Sequence, residues 1–302
     1  MDDHLNIWNE KTVFEPSVQN ILTERKVVAK LSDETFEQLR GHIYEKLGIW
    51  FTDKKKYLLE GRLAKRLQIL NLPNYESYVQ VLKYGRNRED EFPHLCNAVT
   101  INETFFFRNN PQLEALERTV IPALKKDNKD RTIRIWSAAA SSGEEAYSVA
   151  MLYLERLLPR FPGMRIEILG TDISNATLDI AKRGEYSQYA VRNLPDAYLR
   201  KYFLSQGERF LLKEEVKQLV KFEFLNLVDR QQMKVMKNYD IIFCCNVLMY
   251  FDQKAKVQVV GDLYNSLNYS GFLFIGFSEL LHGISTAFKV VSFPQTTGYR
   301  KE

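Results

Sequence analysis

The stretch Arg134–Ala150 reads RIWSAAASSGEEAYSVA and sets the expected class of the chain. Its apolar start predicts a buried strand, and the residues after Gly143 predict a helix. A strand, a tight turn and a helix in this order form the nucleotide-binding unit of doubly wound α/β proteins. The turn has one glycine where a dinucleotide fingerprint has three, and two glutamates close it. The pattern therefore argues against a dinucleotide as the ligand of this turn.

Strands and helices alternate after this point, which predicts an α/β protein with a mostly parallel, Rossmann-like sheet. Residues 184–221 interrupt the alternation, with β-like pieces at Arg209–Lys213 and Gln218–Phe222 beside a helix near Asp196–Phe203. We interpret them as an inserted antiparallel β-subdomain, because so long a connection is rarely structureless. The predicted strands of the main sheet are Ile133–Ser137, Arg165–Asp172, Phe222–Asn226, Tyr239–Cys245 and Gly271–Gly276, and helices are predicted near 143–157, 174–182 and 253–268.

The residues before this region predict a small all-helical domain. In Glu34–Gly48, apolar residues recur at helical spacing and Gly48 ends the pattern. Further helices are predicted near 54–69, 75–84 and 90–99, and the polar connector Lys125–Asp130 precedes the first strand. The expected units are an N-terminal extension at 1–30, a helical domain at 31–110, and an α/β domain at 111–302 that carries the insertion at about 184–221.

Composition and charge exclude several classes of protein. The net charge of +4 is small for 302 residues and gives no reason to expect nucleic-acid binding. The three cysteines do not suggest a disulfide scaffold, and neither they nor the four histidines have metal-ligand spacing. The acidic start has no signal-peptide pattern, and the apolar run Ile241–Phe251 is too short to span a membrane. We expect a cytoplasmic protein with no metal site and no membrane insertion.

The turn after the first strand favours a cationic nucleoside. Its residues, Ser137–Gly143, are small and allow a ligand close to the backbone. A helix start attracts anions, but Glu144 and Glu145 would compete with a pyrophosphate there. S-adenosyl-L-methionine (SAM) instead offers an ammonium, a sulfonium and ribose hydroxyls, and Asp172 stands where an acid commonly binds a ribose. The pattern is typical of a class I SAM-dependent methyltransferase; the alternative is that both glutamates only complement the helix dipole.

Two other clusters contain groups suited to a ligand. Asn102–Arg108, NETFFFR, places three aromatic rings between an amide, a hydroxyl and a guanidinium, at the seam of the two regions. The alternative for this cluster is a core aromatic run followed by a surface arginine. Asp240–Phe251 begins as a buried strand, and Asn246 then stands at its carboxyl end, on the ligand-binding edge of such sheets.

Together these clusters resemble the chemotaxis receptor methyltransferases of the CheR family. That family has an Asn-x-Thr-x-Phe-Phe-Arg motif, a small-residue loop closed by Gly-Glu-Glu, a strand ending in Asp, and a Cys-Arg-Asn-Val-x-x-Tyr-Phe segment. Gly276–Glu279, GFSE, matches its late Gly-x-Ser-Glu motif. The motifs occur in order between about Leu31 and Tyr299. Cys245 departs from the family, which commonly has arginine there, and Ser142 and Ala146 replace a commoner threonine and proline.

The resemblance implies a class I SAM-dependent methyltransferase with a helical N-terminal domain and an inserted antiparallel β-subdomain. It implies SAM as cofactor, S-adenosyl-L-homocysteine (SAH) as product, and methyl transfer to glutamate carboxylates on cytoplasmic helices of chemoreceptors. Arg108 and Tyr250 are the implied catalytic residues, because they would handle the substrate carboxylate. The implied cofactor-binding residues are Asn102, Thr104, Arg108, Glu145, Asp172, Asn226, Leu227, Cys245 and Asn246.

Substrate recognition is predicted on the second helix. A basic face there would attract acidic helices, whereas the alternative is an ordinary solvated face. The short loop Ser205–Arg209 favours an enzyme that does not depend on the C-terminal pentapeptide of a receptor, and the family suggests a monomer. The predicted substrate-binding residues are Lys55, Arg62, Lys65 and Arg66.

Two other functions remain open. Methyltransferases for nucleic acids or amines commonly have an Asp/Asn-Pro-Pro-Tyr turn after the fourth strand, whereas Asn246–Tyr250 contains no proline. A non-catalytic SAM-binding signalling protein would keep the fold without transferring a methyl group. The near-complete motifs favour the enzyme over both alternatives.

Overall fold

The computed structural model describes residues 30–127 and 132–302. The expected N-terminal extension, 1–30, lies outside the described residues except for Lys30, and the polar connector is described only as far as Asp127. Within the described ranges, none of the helices combines the length and the apolar character needed to cross a membrane.

The amino-terminal part of the described chain is helical, and local sequence sets the ends of its first helix. Ser32 caps that helix by accepting the Thr35 N–H at 3.1 Å. Gly48 ends it in the left-handed region, with φ 67°. The apolar face between these ends is buried against the helices that follow. These helices are α1 (Asp33–Leu47), α2 (Lys56–Ile69, after a 3-10 turn at Asp53–Lys55), α3 (Tyr75–Tyr84) and α4 (Arg88–Val99).

The other helices lie in the α/β region and at its start. Two of them continue through a π-helical turn, at Leu116–Val120 and at Tyr153–Leu157. They are α5 (Asn110–Ala115), α6 (Ile121–Asp127), α7 (Glu144–Leu152), α8 (Leu158–Arg160), α9 (Asn175–Arg183), α10 (Gln188–Val191), α11 (Asp196–Tyr202), α12 (Glu214–Lys217), α13 (Arg230–Val235) and α14 (Gln253–Ser266), with a 3-10 turn at Leu248–Tyr250.

The strands form a large sheet of seven and a small sheet of three within the described residues. They are β1 (Ile133–Ser137), β2 (Ile166–Asp172), β3 (Glu185–Ser187), β4 (Phe203–Gln206), β5 (Arg209–Leu212), β6 (Val220–Phe224), β7 (Tyr239–Cys244), β8 (Leu267–Ile275), β9 (Phe288–Phe293) and β10 (Thr296–Lys301).

The large sheet has the order β6-β2-β1-β7-β8-β10-β9. The strands from β6 to β8 run parallel, and β10 is antiparallel to both of its neighbours, β8 and β9. Alternate residues enter the cores on opposite faces: Ile135 and Phe243 pack on one side, and Trp136 and Ile242 on the other. Both faces of the central strands are thus covered, which confirms the predicted α/β class with its mostly parallel, Rossmann-like sheet.

The inserted segment needs one correction. Residues 184–221 contain a three-stranded antiparallel sheet with the order β3-β5-β4, in agreement with the predicted β-subdomain. However, the piece predicted inside the insertion at Gln218–Phe222 belongs to the main sheet, where β6 pairs in parallel with β2 and Val220 lies beside Ile168. The main-sheet strand predicted at Phe222–Asn226 accordingly begins and ends two residues earlier. As an edge strand, β6 buries only Val220 fully and so carries a weak apolar signal.

The sequence patterns indicate no strand after Gly276, but β9 and β10 form an antiparallel hairpin at the sheet edge. In β9 only Phe288 is buried, and Val290 is largely exposed. Strands at the edge of a sheet commonly carry exposed charged side chains, as β9 does at Lys289, and these weaken the apolar pattern. The hairpin completes the mixed end of the sheet.

Candidate active site

A deep cleft opens where β1, β2 and β7 end, between the sheet and the helical part of the chain. Its empty space measures about 1150 Å³, including the part open to solvent. The helical part contributes Leu47 and Val99, and the sheet contributes the loops that follow its strands. The wall also includes every residue that the resemblance implied for cofactor binding or catalysis, namely Asn102, Thr104, Arg108, Glu145, Asp172, Asn226, Leu227, Cys245, Asn246 and Tyr250.

The turn after β1 is held close to the neighbouring strands. Ser141 and Gly143 both have left-handed backbone angles, with φ of 50° and 93°. A Cβ on Gly143 would lie 2.9 Å from both Ala181 and Phe222, so a larger residue would displace the turn. The Ser141 N–H donates to Asp172 at 2.8 Å and ties the turn to the end of β2. The single glycine is therefore required by packing and by backbone conformation.

Glu145, in the first turn of α7, lines the cleft and accepts the Ser137 hydroxyl at 2.7 Å. Burial raises the pKa of Glu145, and the hydrogen bonds from Ser137 and Cys245 and the charge of Arg108 partly oppose that rise. The salt bridges found in the described chain do not involve this carboxylate. A desolvated carboxylate without a salt-bridge partner favours a cationic ligand.

Glu144 precedes this residue but does not line the cleft. Its side chain is buried, and the Ser142 hydroxyl donates to its carboxylate at 2.8 Å. Burial raises the pKa of Glu144 to about 7. Of the two glutamates that close the turn, only the second faces the proposed ligand.

We expect Glu144→Gln to flatten the pH dependence of stability. The folded state holds the Glu144 proton more tightly than the unfolded chain, so wild-type stability is full below the ordinary pKa of 4.5 and falls as pH rises through about 7. That fall, about 3 kcal/mol, should be absent from the variant because glutamine does not ionise. Urea unfolding across this range measures it. The same change at the exposed Glu208 is the control, and an unaltered slope in Glu144→Gln would contradict the prediction.

Asp172 is a buried carboxylate at the end of β2. It accepts the backbone N–H groups of Ser141 at 2.8 Å and Ser174 at 2.9 Å. Burial raises the pKa of Asp172, and these N–H groups, with that of Ile173, partly oppose the rise. Each carboxylate oxygen has more than one lone pair, so both can still accept a hydroxyl hydrogen from the cleft. The position suits the ribose of a nucleoside.

The segment Asn102–Arg108 combines a core anchor with a charged group at the cleft mouth. Phe106 is fully buried and packs edge-on against Tyr186 of the β-subdomain, with ring centroids 4.8 Å apart. Arg108 is exposed, lines the cleft, and donates to the Glu103 carbonyl at 2.6 Å. Phe106 therefore belongs to the core, whereas Arg108, on the cleft wall, stays a predicted ligand-binding residue.

Asn226 joins the sheet to the helical part of the chain. Its side-chain amide donates to the Lys46 carbonyl at 2.8 Å, and its side-chain oxygen accepts the Val228 N–H at 3.2 Å. The neighbouring Leu227 is buried and also lines the cleft. The Asn226 N–H donates to the Gln232 side chain at 2.9 Å and its carbonyl accepts the Asp229 N–H at 3.0 Å, so Leu227 is the group best placed to meet a flat ring.

Cys245, at the cleft floor, has a buried thiol that donates to the Gln112 side-chain oxygen at 3.4 Å. Burial raises the pKa of Cys245 well above its ordinary value, and the nearby Glu145 adds to the rise. The thiol is therefore neutral. A neutral group stands beside Glu145 at the position where the family commonly has a cationic arginine.

Glu279 is the last residue of the Gly-x-Ser-Glu motif. The motif marks its position in the sequence but does not predict what its carboxylate binds. Its carboxylate accepts the N–H groups of Gly276 and Asn246 at 2.8 Å and of Met249 at 3.1 Å. A Cβ on Gly276 would lie 2.7 Å from the carboxylate, so glycine is needed for this approach. Glu279 thus fixes the loop that carries Asn246 and Tyr250 to the cleft.

Tyr250 is half-buried at the cleft mouth, and its backbone carbonyl accepts the Trp50 N–H at 3.1 Å. Burial raises the pKa of Tyr250, while the charges of Arg108 and Arg62 partly oppose the rise. The phenol is therefore protonated at neutral pH and can donate a hydrogen bond to a carboxylate.

The four residues predicted to form a basic face on α2 do not all point toward solvent. Lys55 and Lys65 are exposed, and Arg62 is half-buried with its guanidinium bonded to a backbone carbonyl at 2.6 Å. Arg66 instead turns toward α4 and donates to both oxygens of the buried Glu91, at 2.6 and 2.9 Å. The placement of Arg66 on a free basic face therefore needs correction, because its charge is used inside the helical core.

We expect Arg66→Ala to lower the free energy of unfolding by about 2 kcal/mol. The substitution leaves the Glu91 carboxylate buried, and only the Tyr78 hydroxyl continues to donate to it, at 2.8 Å. Urea denaturation measures the loss. Lys65→Ala, one residue away and exposed, is the matched control and should change stability by less than about 0.5 kcal/mol. Equal effects of the two substitutions would show that the buried pair contributes nothing specific.

Two family models match the chain. The model described as CheR methyltransferase, SAM binding domain, matches residues 102–297, and the one described as CheR methyltransferase, all-alpha domain, matches residues 34–100. The first match covers the cleft loops from Asn102 onward, and the second covers α1 to α4.

Relatives cover almost the whole chain. Chemotaxis protein methyltransferase 2 of Vibrio cholerae is 36% identical over 272 residues, which is 90% of this chain and 94% of that protein. A chemotaxis protein methyltransferase of Borreliella burgdorferi is 34% identical, over 84% of this chain and 90% of that protein. One of Vibrio parahaemolyticus is 36% identical, over 86% of this chain and 94% of that protein. The chain therefore belongs to the CheR methyltransferase family.

Proposed function

We propose that this chain transfers the methyl group of SAM to glutamate side-chain carboxylates of chemoreceptors and so forms glutamate 5-O-methyl esters. One observation carries the proposal: the acids suited to a cationic nucleoside, Glu145 and Asp172, share a cleft with the donors suited to a carboxylate, Arg108 and Tyr250. The names of the relatives, chemotaxis protein methyltransferases, support the choice of substrate.

The residues of the cleft fit SAM. Glu145 is a half-buried carboxylate that forms no salt bridge within the described residues, and it would accept from the ammonium group. Asp172 would accept from the ribose hydroxyls. Leu227 and Asn226 would flank the adenine. When bound, SAM supplies a methyl group that its sulfonium has already activated. The remaining side chains proposed to close around it are Asn102, Thr104, Cys245 and Asn246.

The substrate carboxylate needs orientation rather than deprotonation. A glutamate with an ordinary pKa of about 4.3 is ionised at neutral pH, so a general base is not required. Arg108 would align it through charge-assisted hydrogen bonds, and the protonated Tyr250 would add a donor. Methyl transfer removes charge, so very strong binding of the ionised carboxylate would slow the step. Arg108 is exposed to solvent, and its guanidinium also donates to the Glu103 carbonyl. Both features keep its binding of the substrate carboxylate moderate in strength.

We propose that the exposed Lys55 and Lys65, with the half-buried Arg62, attract the acidic substrate helix. Arg62 supports this placement because its charge acts on Tyr250 at the cleft mouth. Arg66 is left out, since Glu91 already uses its guanidinium. The proposed reaction takes place on cytoplasmic parts of receptors, so the enzyme would work in the cytoplasm.

The β-subdomain supports an enzyme that does not require a receptor pentapeptide. Its strands β4 and β5 are joined by a turn of only two residues, Gly207 and Glu208, with a left-handed φ of 62° at the glycine. A hairpin this tight has no loop extension with which to hold a peptide.

The test is transfer of radioactive methyl from SAM to receptor-containing membranes. Methyl groups released by mild base, with the label on receptor glutamates, are the expected result. A base-stable product would indicate an amine or nucleic-acid methyltransferase instead. SAM binding without transfer would indicate a non-catalytic signalling protein.

A further inference from the structure

Three exposed apolar side chains lie beside the cleft mouth, on two segments that the Glu279 carboxylate ties together. Phe277 is 86% exposed, more than any other large apolar side chain in the described residues, and Leu280 is 69% and Met249 49% exposed. We call these three residues the rim patch. Apolar side chains grouped on a surface commonly mark an interaction site.

Hydrogen bonds hold the backbone that carries the rim patch. The Glu279 carboxylate accepts N–H groups from Gly276 and Met249, and the Glu279 N–H donates back to the Gly276 carbonyl at 2.9 Å. Phe277 lies in the chain between the bonded residues Gly276 and Glu279, and the same carboxylate holds the Met249 N–H. A surface ordered before binding loses little conformational entropy when a partner docks.

The position of the rim patch relates it to the substrate. Tyr250 follows Met249 in the chain, and on its other side its carbonyl accepts the Trp50 N–H from the loop that leads into α2. Tyr250 therefore lies between the rim patch and the basic residues of α2. A carboxylate that reaches Tyr250 brings its own neighbouring residues over one or both of these surfaces.

The charges of the two surfaces differ. In Asn246–Phe251 and Gly276–Ala287 the only aspartate, glutamate, lysine or arginine is Glu279, and its carboxylate is buried. The α2 side instead presents Lys55 and Lys65. An amphipathic helix has both kinds of neighbour around a given glutamate, at three and four residues along the helix. The charged side suits α2, and the apolar side suits the rim patch.

We propose that the rim patch docks the apolar side chains that flank the target glutamate on the substrate helix. The inference rests on the proposed function, and it adds an apolar requirement to the acidic one. Substrate choice would then depend on the residues one helical turn from the glutamate, as well as on the overall charge of the helix.

The test compares Phe277→Ser with Val235→Ser, a matched control on α13 whose side chain is 79% exposed. Burying a phenylalanine against a partner corresponds to a change of about tenfold or more in affinity. We expect Phe277→Ser to raise the KM for receptor about tenfold, with SAH affinity and kcat within about twofold of wild type. Sedimentation with receptor membranes in the presence of SAH should show the same loss of binding, and Val235→Ser should show neither effect.

The outcomes separate this inference from the proposed function. Transfer by the wild type with equal KM in both variants overturns the rim patch alone. Binding to receptor membranes that depends on Phe277, without base-labile transfer, supports the rim patch and overturns the proposed function. A wild type that neither binds nor methylates receptors overturns both. Self-association that Phe277→Ser abolishes would show instead that a second copy of the chain occupies the surface.

Discussion

Replacing Arg108 with alanine is expected to lower kcat for receptor methylation on the order of 10²–10³-fold, the range found when a positioned donor is removed from an active site. Arg108 lines the cleft mouth, and its guanidinium lies 5.7 Å from the centre of the Phe105 ring and bonds the Glu103 carbonyl. These contacts hold the charge in one place before the substrate arrives. Initial rates with radioactive SAM measure the loss.

The controls distinguish positioning from simple charge. Arg108→Lys keeps the charge but loses the planar fork, so it should recover only part of the rate. Arg118→Ala removes an arginine whose side chain is 70% exposed and which does not line the cleft, and it should leave kcat unchanged. Calorimetry with SAH checks that Arg108→Ala still binds the cofactor product. A full rate in Arg108→Ala would assign the carboxylate to other residues.

The position of the cleft is predictable from sequence because the sheet is mostly parallel. Ser137, Asp172 and Asn246 are far apart in the chain, but each lies at or just after the carboxyl end of a strand. Strands β2, β1 and β7 are neighbours, so these ends meet at one edge. The apolar patterns that predict the strands therefore also predict the meeting point of the polar side chains.

Side-chain direction is less predictable, because it depends on partners distant in sequence. Arg66 has the helical spacing expected of a basic face, but its guanidinium forms a salt bridge with Glu91 on another helix, α4. Glu144 and Glu145 are adjacent, and only the packing of α7 against its neighbours determines which of them faces the cleft. Helical periodicity gives the angle between two side chains, not the direction of the core.

The edge strands of the sheet and the buried Glu279 are also difficult to predict from the sequence. The strand β6 lies at one edge of the sheet and β9 at the other, and each buries few side chains, so their apolar signals are weak. Glu279 reads as an ordinary polar residue in a loop, yet it accepts hydrogen bonds from three backbone N–H groups. Its role depends on Gly276 and Asn246, which only the fold brings together.

Glu145→Gln is expected to weaken SAM binding by about 100-fold, because it replaces a charge-assisted hydrogen bond by a neutral one in a desolvated site. SAH keeps the ammonium group that Glu145 is proposed to bind, so its affinity should fall by a similar factor. The neutral thiol of Cys245 provides no positive charge to balance Glu145. The cationic ligand therefore supplies more of the favourable interaction with this carboxylate, which increases the expected loss. Calorimetry with both compounds measures the two losses, and Glu114→Gln, a change outside the cleft, is the matched control.

The pH dependence tests the same carboxylate independently. Burial raises the pKa of Glu145, so acidification neutralises it in the free enzyme at a higher pH than for an ordinary glutamate. A bound cation favours the ionised form, and linkage then requires wild-type SAM affinity to fall as the pH drops through the raised pKa of Glu145. Glutamine has no proton to gain, so Glu145→Gln should show a flatter profile over that range. A variant that keeps the wild-type slope would place the titrating group elsewhere and would remove Glu145 from the proposed SAM site.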